Sequence, residues 1–205
     1  LKKSNELSLI GYSGHAYICA EVALLNGYVI DGYFELTQMA SNPFNLNYRG
    51  KGVVLDPALT LFVAIGDNAL RKKLYNQAYT NGNTISTLIH PKANVSELAE
   101  VKSGTLICAG AIINPLAEIG AGVIINSGAI IEHECKIGNF THVAPGAVLT
   151  GNVTVGELCF IGANTVIKQG TTICSNVTIG MGAVVTKNIT EPGTYVGAPA
   201  RKLIK

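Results

Sequence analysis

Beginning at Val95 and ending at Val185, every sixth residue of the chain is aliphatic, sixteen positions in succession without a miss. Ile, Leu and Val make up roughly a third of that segment, so chance would produce such a run with a probability on the order of 10⁻⁸ and the period is real. The position four residues further on is restricted too. From Ala99 to Ile189 it holds only Ala, Thr, Cys, Val or Ile. A hexad with a large aliphatic side chain first and a small or β-branched one fifth describes one flat side of a β-solenoid. The large residue points inward and the small one fits near the corner. Gly and Asn between them supply the turns. Three hexads close one triangular coil of 18 residues, so sixteen hexads predict a little over five coils with no inserted loop.

Residues 1–90 lack this period. Here the pattern predicts a buried strand over 7–10 and a glycine turn, Gly11-Tyr-Ser-Gly-His15. A helix over 16–26 ended by Gly27, a strand over 28–35 and another over 60–65 follow. Gly66-Asp67-Asn68 then reads as a turn and helix cap, 69–79 as a helix basic on one face, and 84–89 as a last strand leading to His90-Pro91. Alternating strands and helices predict a small parallel α/β unit, so the chain is expected to divide into 1–90 and 91–205. Ligands of such units sit at the carboxyl ends of the strands, where a glycine turn lets backbone N–H groups and a helix N-terminus face a phosphate. The Gly11 turn lacks the full G-x-G-x-x-G spacing. The pattern G-x-S-x-G is not met either, because its last place holds His15, which argues against a serine nucleophile.

Composition narrows the picture. Apolar residues make up 48 % and charged residues 14 %, too apolar for a disordered chain. Lys and Arg number 15 against 13 Asp and Glu, a net charge of +2 that argues against nucleic acid as a partner. The longest charge-free run, 169–186, is broken by Thr, Ser, Asn and Gly and does not read as a membrane span. Lys2 and Lys3 lead through Asn5 and Glu6 into a short apolar stretch, which does not read as a signal peptide. The five cysteines are odd in number and form no C-x-x-C pair. They read as small buried hydrophobes in a reducing, cytoplasmic setting.

Candidate chemistry rests on four histidines: His15, His90, His133 and His142. His133 is third in its hexad and is flanked by Glu132 and Glu134, in a segment otherwise nearly free of charge. A carboxylate beside an imidazole favours the protonated ring and makes it a stronger base, which suits general-base catalysis. The plainer reading is a solvated charged corner. His133 and His142 are nine residues apart with no third histidine following, so no metal is expected.

The hexads resemble those of the hexapeptide-repeat acyltransferases. That likeness implies a left-handed parallel β-helix, an exception to the usual right-handed crossover. Tyr195-Val-Gly-Ala-Pro-Ala-Arg201 is similar to the tail that closes many of these helices. Four further stretches run through the chain in order. They are Gly11-x-Ser-Gly-His15; Ala64-Ile-Gly-Asp-Asn68 with Arg71-Lys-Lys-Leu-Tyr75; Ile131-Glu-His-Glu-Cys-x-Ile-Gly138; and His142-Val-x-x-Gly-Ala147 with Gly151-Asn-Val153. Together they resemble the sialic-acid and amino-sugar acetyltransferases with a Rossmann-like front domain. The nearest likeness is to the PglD-type UDP-4-amino-sugar N-acetyltransferases of the bacillosamine pathway.

The resemblance implies acetyl-CoA as co-substrate, a UDP-linked amino sugar as acceptor, and a homotrimer with active sites between neighbouring prisms. It makes His133 the catalytic base and Glu134 the carboxylate that raises its basicity. It assigns His142, Gly151, Ala163 and Met181 to acetyl-CoA, and Ser13, Gly14, His15 and Gly66 to the nucleotide sugar. Asn126 would orient the amino sugar. The acidic pair that the family carries after its second strand reads Glu35-Leu36 here, which leaves Glu35 to take that place, and the stretch 37–59 is longer than the pattern. The implied reaction is acetyl transfer to the 4-amino group of a 4,6-dideoxy sugar. The rival with the same fold and base is O-acetylation of a sialic acid or related sugar. A non-catalytic, ice-binding type of solenoid would need ranked Thr-x-Thr arrays, whereas the threonines here are scattered.

Overall fold

The computed structural model describes residues 5–51 and 56–204. Lys2 and Lys3, on which the signal-peptide reading rests, and part of the 37–59 stretch lie outside them. The chain divides into two compact units, Leu1–Pro91 and Lys92–Lys205.

The first unit is a parallel sheet of β1 (Glu6–Ile10), β2 (Val29–Phe34), β3 (Thr60–Val63) and β4 (Thr84–Ile85), in the spatial order β2-β1-β3-β4. Leu7, Leu9 and Leu61 in its centre are fully buried, as expected of strands covered on both faces. Helix α1 (Gly14–Leu25) follows β1, and α2 (Asn68–Thr80) follows β3. The α1 helix starts two residues earlier than its apolar pattern suggests. Gly11, at φ +94°, turns the chain, and the extended Ser13 delivers it directly into the first turn. The buried side of α1 is small (Ala16, Cys19, Ala20, Val22 and Ala23), which allows close approach to the sheet.

Two expectations for this unit need correction. The stretch 84–89 is not one strand. β4 pairs only with Thr60 and Leu61, Ser86 N donates to Leu61 O at 2.9 Å, and Leu88–Ile89 then form a separate short strand. Nor do the cations of α2 share one face. Arg71 lies on the buried stripe with Tyr75 and Ala78, at helical spacing, while Lys73 is exposed. The stretch after β2 returns along that strand's outer edge. Tyr33 N donates to Asn47 O, Arg49 N to Tyr33 O and Glu35 N to Gly50 O, which occupies an edge that would otherwise be open.

The second unit is the solenoid. Glu100–Val101, Glu118–Ile119, Lys136–Ile137, Thr154–Val155 and Thr172–Ile173 form one five-stranded sheet. Asn94–Val95, Ile112–Ile113, Ile130–Ile131, Val148–Leu149, Val166–Ile167 and Val184–Val185 form a six-stranded one. The remaining sheet runs through Leu106–Ile107, Ile124–Ile125, His142–Val143, Phe160–Ile161 and Val177–Ile179. Partners lie 18 residues apart, as in Ile119↔Ile137 and Ile137↔Val155. The first hexad residues are no more than 3 % exposed from position 107 to position 185. Three of the four buried fifth-position threonines are satisfied by main chain: Thr105, Thr141 and Thr165 Oγ1 donate to the carbonyls of Gly120, Gly156 and Gly180 at 2.8, 2.8 and 3.2 Å.

The corner itself sits at the fourth hexad residue. From Gly104 to Gly182 all fourteen such residues have positive φ, and ten of them are Gly or Asn. Leu116, Glu134, Phe140 and Leu158 are the exceptions, each held in a conformation that disfavours a β-carbon. The hexad count also fails at the end. Ile189, which the period places at a small corner position, instead bridges Ile173, 16 residues away, and Thr194 pairs with Thr178. The last coil is two residues short, and there the Asn188 carboxamide accepts from Thr172 N at 2.9 Å, in place of main chain. Gly193–Val196 then pairs with Arg201–Lys202, the one antiparallel pairing among the described strands, which closes the ladder.

Candidate active site

His133 stands at a solenoid corner with half of its side chain exposed. Glu134 follows it at φ +60°, a conformation that Gly or Asn would adopt with less strain. This backbone brings Glu134 Oε2 to 3.0 Å from His133 Nδ1. The carboxylate accepts from Nδ1–H, so the lone pair is on Nε2, the atom a general base needs. Gly151 lies one coil further on, and Asn152 N donates to His133 O at 2.8 Å. A β-carbon built on Gly151 would sit 2.6 Å from both Cε1 and Nε2 of His133. The missing side chain is therefore what leaves room for the ring. Gly151→Ala should displace the imidazole, a flexible surface group, and lower kcat by about 10²-fold, the scale of a misplacement near 1 Å. The melting temperature should change little. A Gly151→Ala enzyme of normal kcat would show that the ring does not work from this position.

Asn126 and His142 form a second cluster. Asn126 Oδ1 accepts from Ser127 N at 2.8 Å, which orients the carboxamide so that Nδ2–H donates to His142 Nε2 at 3.1 Å. His142 Nε2 thus carries a lone pair and its proton sits on Nδ1. Phe160, one strand on, meets the His142 ring edge-on at 5.1 Å. The pairing of Asn126 with His142 was not legible in the sequence, although their strands are one coil apart.

Gly151, Ala163 and Met181 are all third hexad residues, and Met181 is 84 % exposed. Among the described residues no main-chain hydrogen bond uses the N–H of Gly151, Ala163 or Met181. Pro115 and Pro145, which have no N–H, occupy this place without loss. The three amides are thereby available to a ligand. Cys108, Cys135 and Cys159 do not suit nucleophilic attack: burial pushes Cys108 up to about 12 and raises Cys135 and Cys159.

In the first unit the strand order reverses between β1 and β3, the switch point at which α/β sheets bind ligands. The β1–α1 turn brings Ser13, Gly14 and His15 there, and the β3–α2 turn brings Gly66. A β-carbon on Gly66 would lie 3.9 Å from His15 Cβ, whereas one on Gly14 would meet nothing within 4 Å. The His15 pKa is pulled down to about 4, by burial first and then by the Arg71 charge, so the ring is neutral near pH 7. Glu35, at the end of β2, turns its carboxylate inward: Oε2 accepts from Tyr12 N at 3.2 Å and Oε1 from Leu36 N at 2.9 Å. Tyr12 stacks on Tyr33 at 4.3 Å, and its hydroxyl donates to Asn42 Oδ1 at 2.8 Å. Among the described residues there is no group of three or more His, Cys, Asp or Glu placed to hold a metal, and no helix is long and apolar enough to cross a membrane.

Comparison with known proteins agrees with this layout. Residues 6–78 match the PglD N-terminal domain, 116–151 the bacterial transferase hexapeptide (six repeats) and 152–187 the hexapeptide repeat of succinyl-transferase. The chain is 33 % identical to the acetyltransferase domain of PglB from Neisseria gonorrhoeae FA1090 in complex with acetyl coenzyme A. The TM-score is 0.93, over 98 % of this chain and 100 % of that one. It is also 33 % identical to PerB from Caulobacter crescentus, solved with CoA and GDP-perosamine, with a TM-score of 0.90 over 97 % of each chain. WeeI from Acinetobacter baumannii AYE shares the fold at 23 % identity and a TM-score of 0.87, over 96 % of this chain and 99 % of its own. A small parallel α/β unit followed in the chain by a solenoid of hexads, with these matches, thus defines an enzyme of the hexapeptide-repeat acetyltransferase class. Within that class, the chain belongs to the PglD family of sugar N-acetyltransferases.

Proposed function

We propose that the enzyme transfers the acetyl group of acetyl-CoA to the 4-amino group of a UDP-linked 4-amino-4,6-dideoxy sugar. The observation that carries this reading is the His133–Glu134 pair, 3.0 Å apart, with Nε2 left over the bare Cα of Gly151. The neutral amine adds to the thioester carbonyl, and His133 Nε2 takes its proton as the C–N bond forms. Solenoid main-chain N–H groups hold the oxyanion, and collapse expels the CoA thiolate, which recovers the proton. No covalent enzyme intermediate is needed when both substrates are held together. The third-position amides of Gly151, Ala163 and Met181, with His142 and its partner Asn126, are the groups assigned to acetyl-CoA and the reacting amine. The turns at Ser13–His15 and Gly66 are assigned to the nucleotide.

The resemblance to the PglD-type UDP-amino-sugar N-acetyltransferases, with residues 6–78 matching the PglD N-terminal domain, favours UDP. The likeness to PerB, solved with GDP-perosamine, favours a second reading with GDP. Further copies of this chain are the proposed partners, in a cytoplasmic trimer. Ile112, Ile130, Val148, Val166 and Val184 stand outward on one sheet, each only partly buried, while the five-stranded sheet turns Glu100, Glu118 and Lys136 outward. An aliphatic ladder of this kind suits closed cyclic assembly.

Acetyl-CoA consumption should be followed against UDP- and GDP-linked 4-amino-4,6-dideoxy sugars and free sialic acid, with products identified by mass spectrometry. An N-acetylated nucleotide sugar is expected. Acetylation of sialic acid hydroxyls alone would overturn the reading.

A further inference from the structure

We propose that Arg71 is a positioning residue for the nucleotide site: by holding the carbonyls of Ile65 and Gly66, it aims the N–H groups of Gly66 and Asp67 as a main-chain cradle for the diphosphate. The inference rests on the reading of the first unit as the nucleotide-sugar site.

Arg71 is the one charged side chain fully buried among the described residues, at 1 % exposure. Its Nη1 donates to Ile65 O at 3.1 Å and Gly66 O at 2.9 Å, and its Nη2 donates to Asn68 Oδ1 at 2.7 Å. In a trans peptide the C=O and the following N–H point in opposite directions. Carbonyls drawn toward Arg71 therefore turn the N–H groups of Gly66 and Asp67 to the other side of the turn. No main-chain hydrogen bond of the described residues takes up either N–H. Successive N–H groups on one side of a turn make an anion-binding concavity.

The location fits a ligand. The turn lies at the carboxyl end of β3, at the switch point, and Gly66 packs against His15. The Asp67 carboxylate, which would oppose an anion, is folded onto Leu70 N at 2.8 Å as the α2 cap, and the buried guanidinium behind the turn offsets its charge. A planar fork is required for this task. Lysine keeps the charge but cannot hold two carbonyls and a carboxamide in one plane.

A purely structural staple and a positioning residue predict different results. The test is Arg71→Lys, with UDP, GDP and CoA titrated calorimetrically against wild type and variant, and with KM and kcat measured for both substrates. Wild type should bind UDP or GDP. If it binds neither, the nucleotide site itself falls and the role of Arg71 falls with it. If it binds, Arg71→Lys should weaken that nucleotide about tenfold, the scale of one lost charge-assisted hydrogen bond. Its CoA affinity should stay within about twofold, because those contacts belong to the other unit. The nucleotide-sugar KM should rise more than kcat falls. A folded Arg71→Lys protein with unchanged nucleotide affinity overturns the assignment. Should the variant not fold, wild-type amide NMR decides: adding the bound nucleotide should shift the Gly66 and Asp67 N–H resonances, and amides that do not move would overturn it equally.

Discussion

Replacing His133 with alanine is expected to lower turnover by about 10²–10⁴-fold, the usual worth of a general base, without loss of the fold. The two effects separate because of where the residue sits. Its carbonyl, which ties the coil to Asn152 N, belongs to the main chain and survives the substitution. Its ring is half exposed, is bonded to Glu134 and lies over Gly151, and fills no part of the interior. What alanine removes is Nε2, the proposed acceptor for the amine proton. Without it the amine would have to lose its proton to water during attack. Thiol release with acetyl-CoA and the nucleotide sugar saturating gives kcat directly, and circular dichroism checks the coils. A well-folded His133→Ala protein of wild-type turnover, free of contaminating wild type, would falsify the role of His133.

The opposite balance is expected at Ile137, where an aspartate should abolish folding. The side chain stacks between Ile119 and Val155 in the 18-residue ladder and is 3 % exposed. Its burial is worth about 1.5–3 kcal/mol. An aspartate loses that and adds a desolvated carboxylate in an interior of aliphatic side chains, which costs several kcal/mol more. The sum reaches the range of a whole domain's stability, about 5–15 kcal/mol. Thermal melting and the soluble yield of Ile137→Asp should both show loss of folded protein. A melt like that of wild type would mean that Ile137 does not face the interior.

The solenoid was legible in the sequence because its inward position recurs at a fixed interval and each coil repeats the same solvent problem. Ile107, Ile125 and Val143 could be placed on one face from spacing alone. The His133–Glu134 pair was legible as neighbours, but its contact was not. That contact depends on positive φ at a glutamate, against its preference. The burial of Arg71 could not be read from the helix pattern, because a cation in a helix is normally solvated. The carbonyls of the turn that leads into the helix, with the Asn68 carboxamide, make its burial tolerable. Glu35 was similarly ambiguous: a carboxylate at a strand end can wait for a ligand or tie down main chain, and its bonds to Tyr12 N and Leu36 N are tertiary facts. The break at Ser86 depends on how far β3 extends beside β4, which no local pattern records.

The 18-residue register turns position in the chain into an address on the prism. Moving 18 residues along keeps the face and changes only the height. That is how Gly151 comes to lie beneath His133, and Val143 beneath Ile125. Six residues keep the residue inward or outward but change the face. Loss of a whole coil would shorten the stack and leave every later side chain on its own wall. Loss of a single hexad would turn everything beyond it by one wall, and would carry Gly151 away from the imidazole it accommodates. The solenoid is thus tolerant of changes in length in steps of a coil and intolerant of smaller ones between His133 and Gly151, even where the smaller change removes no functional residue.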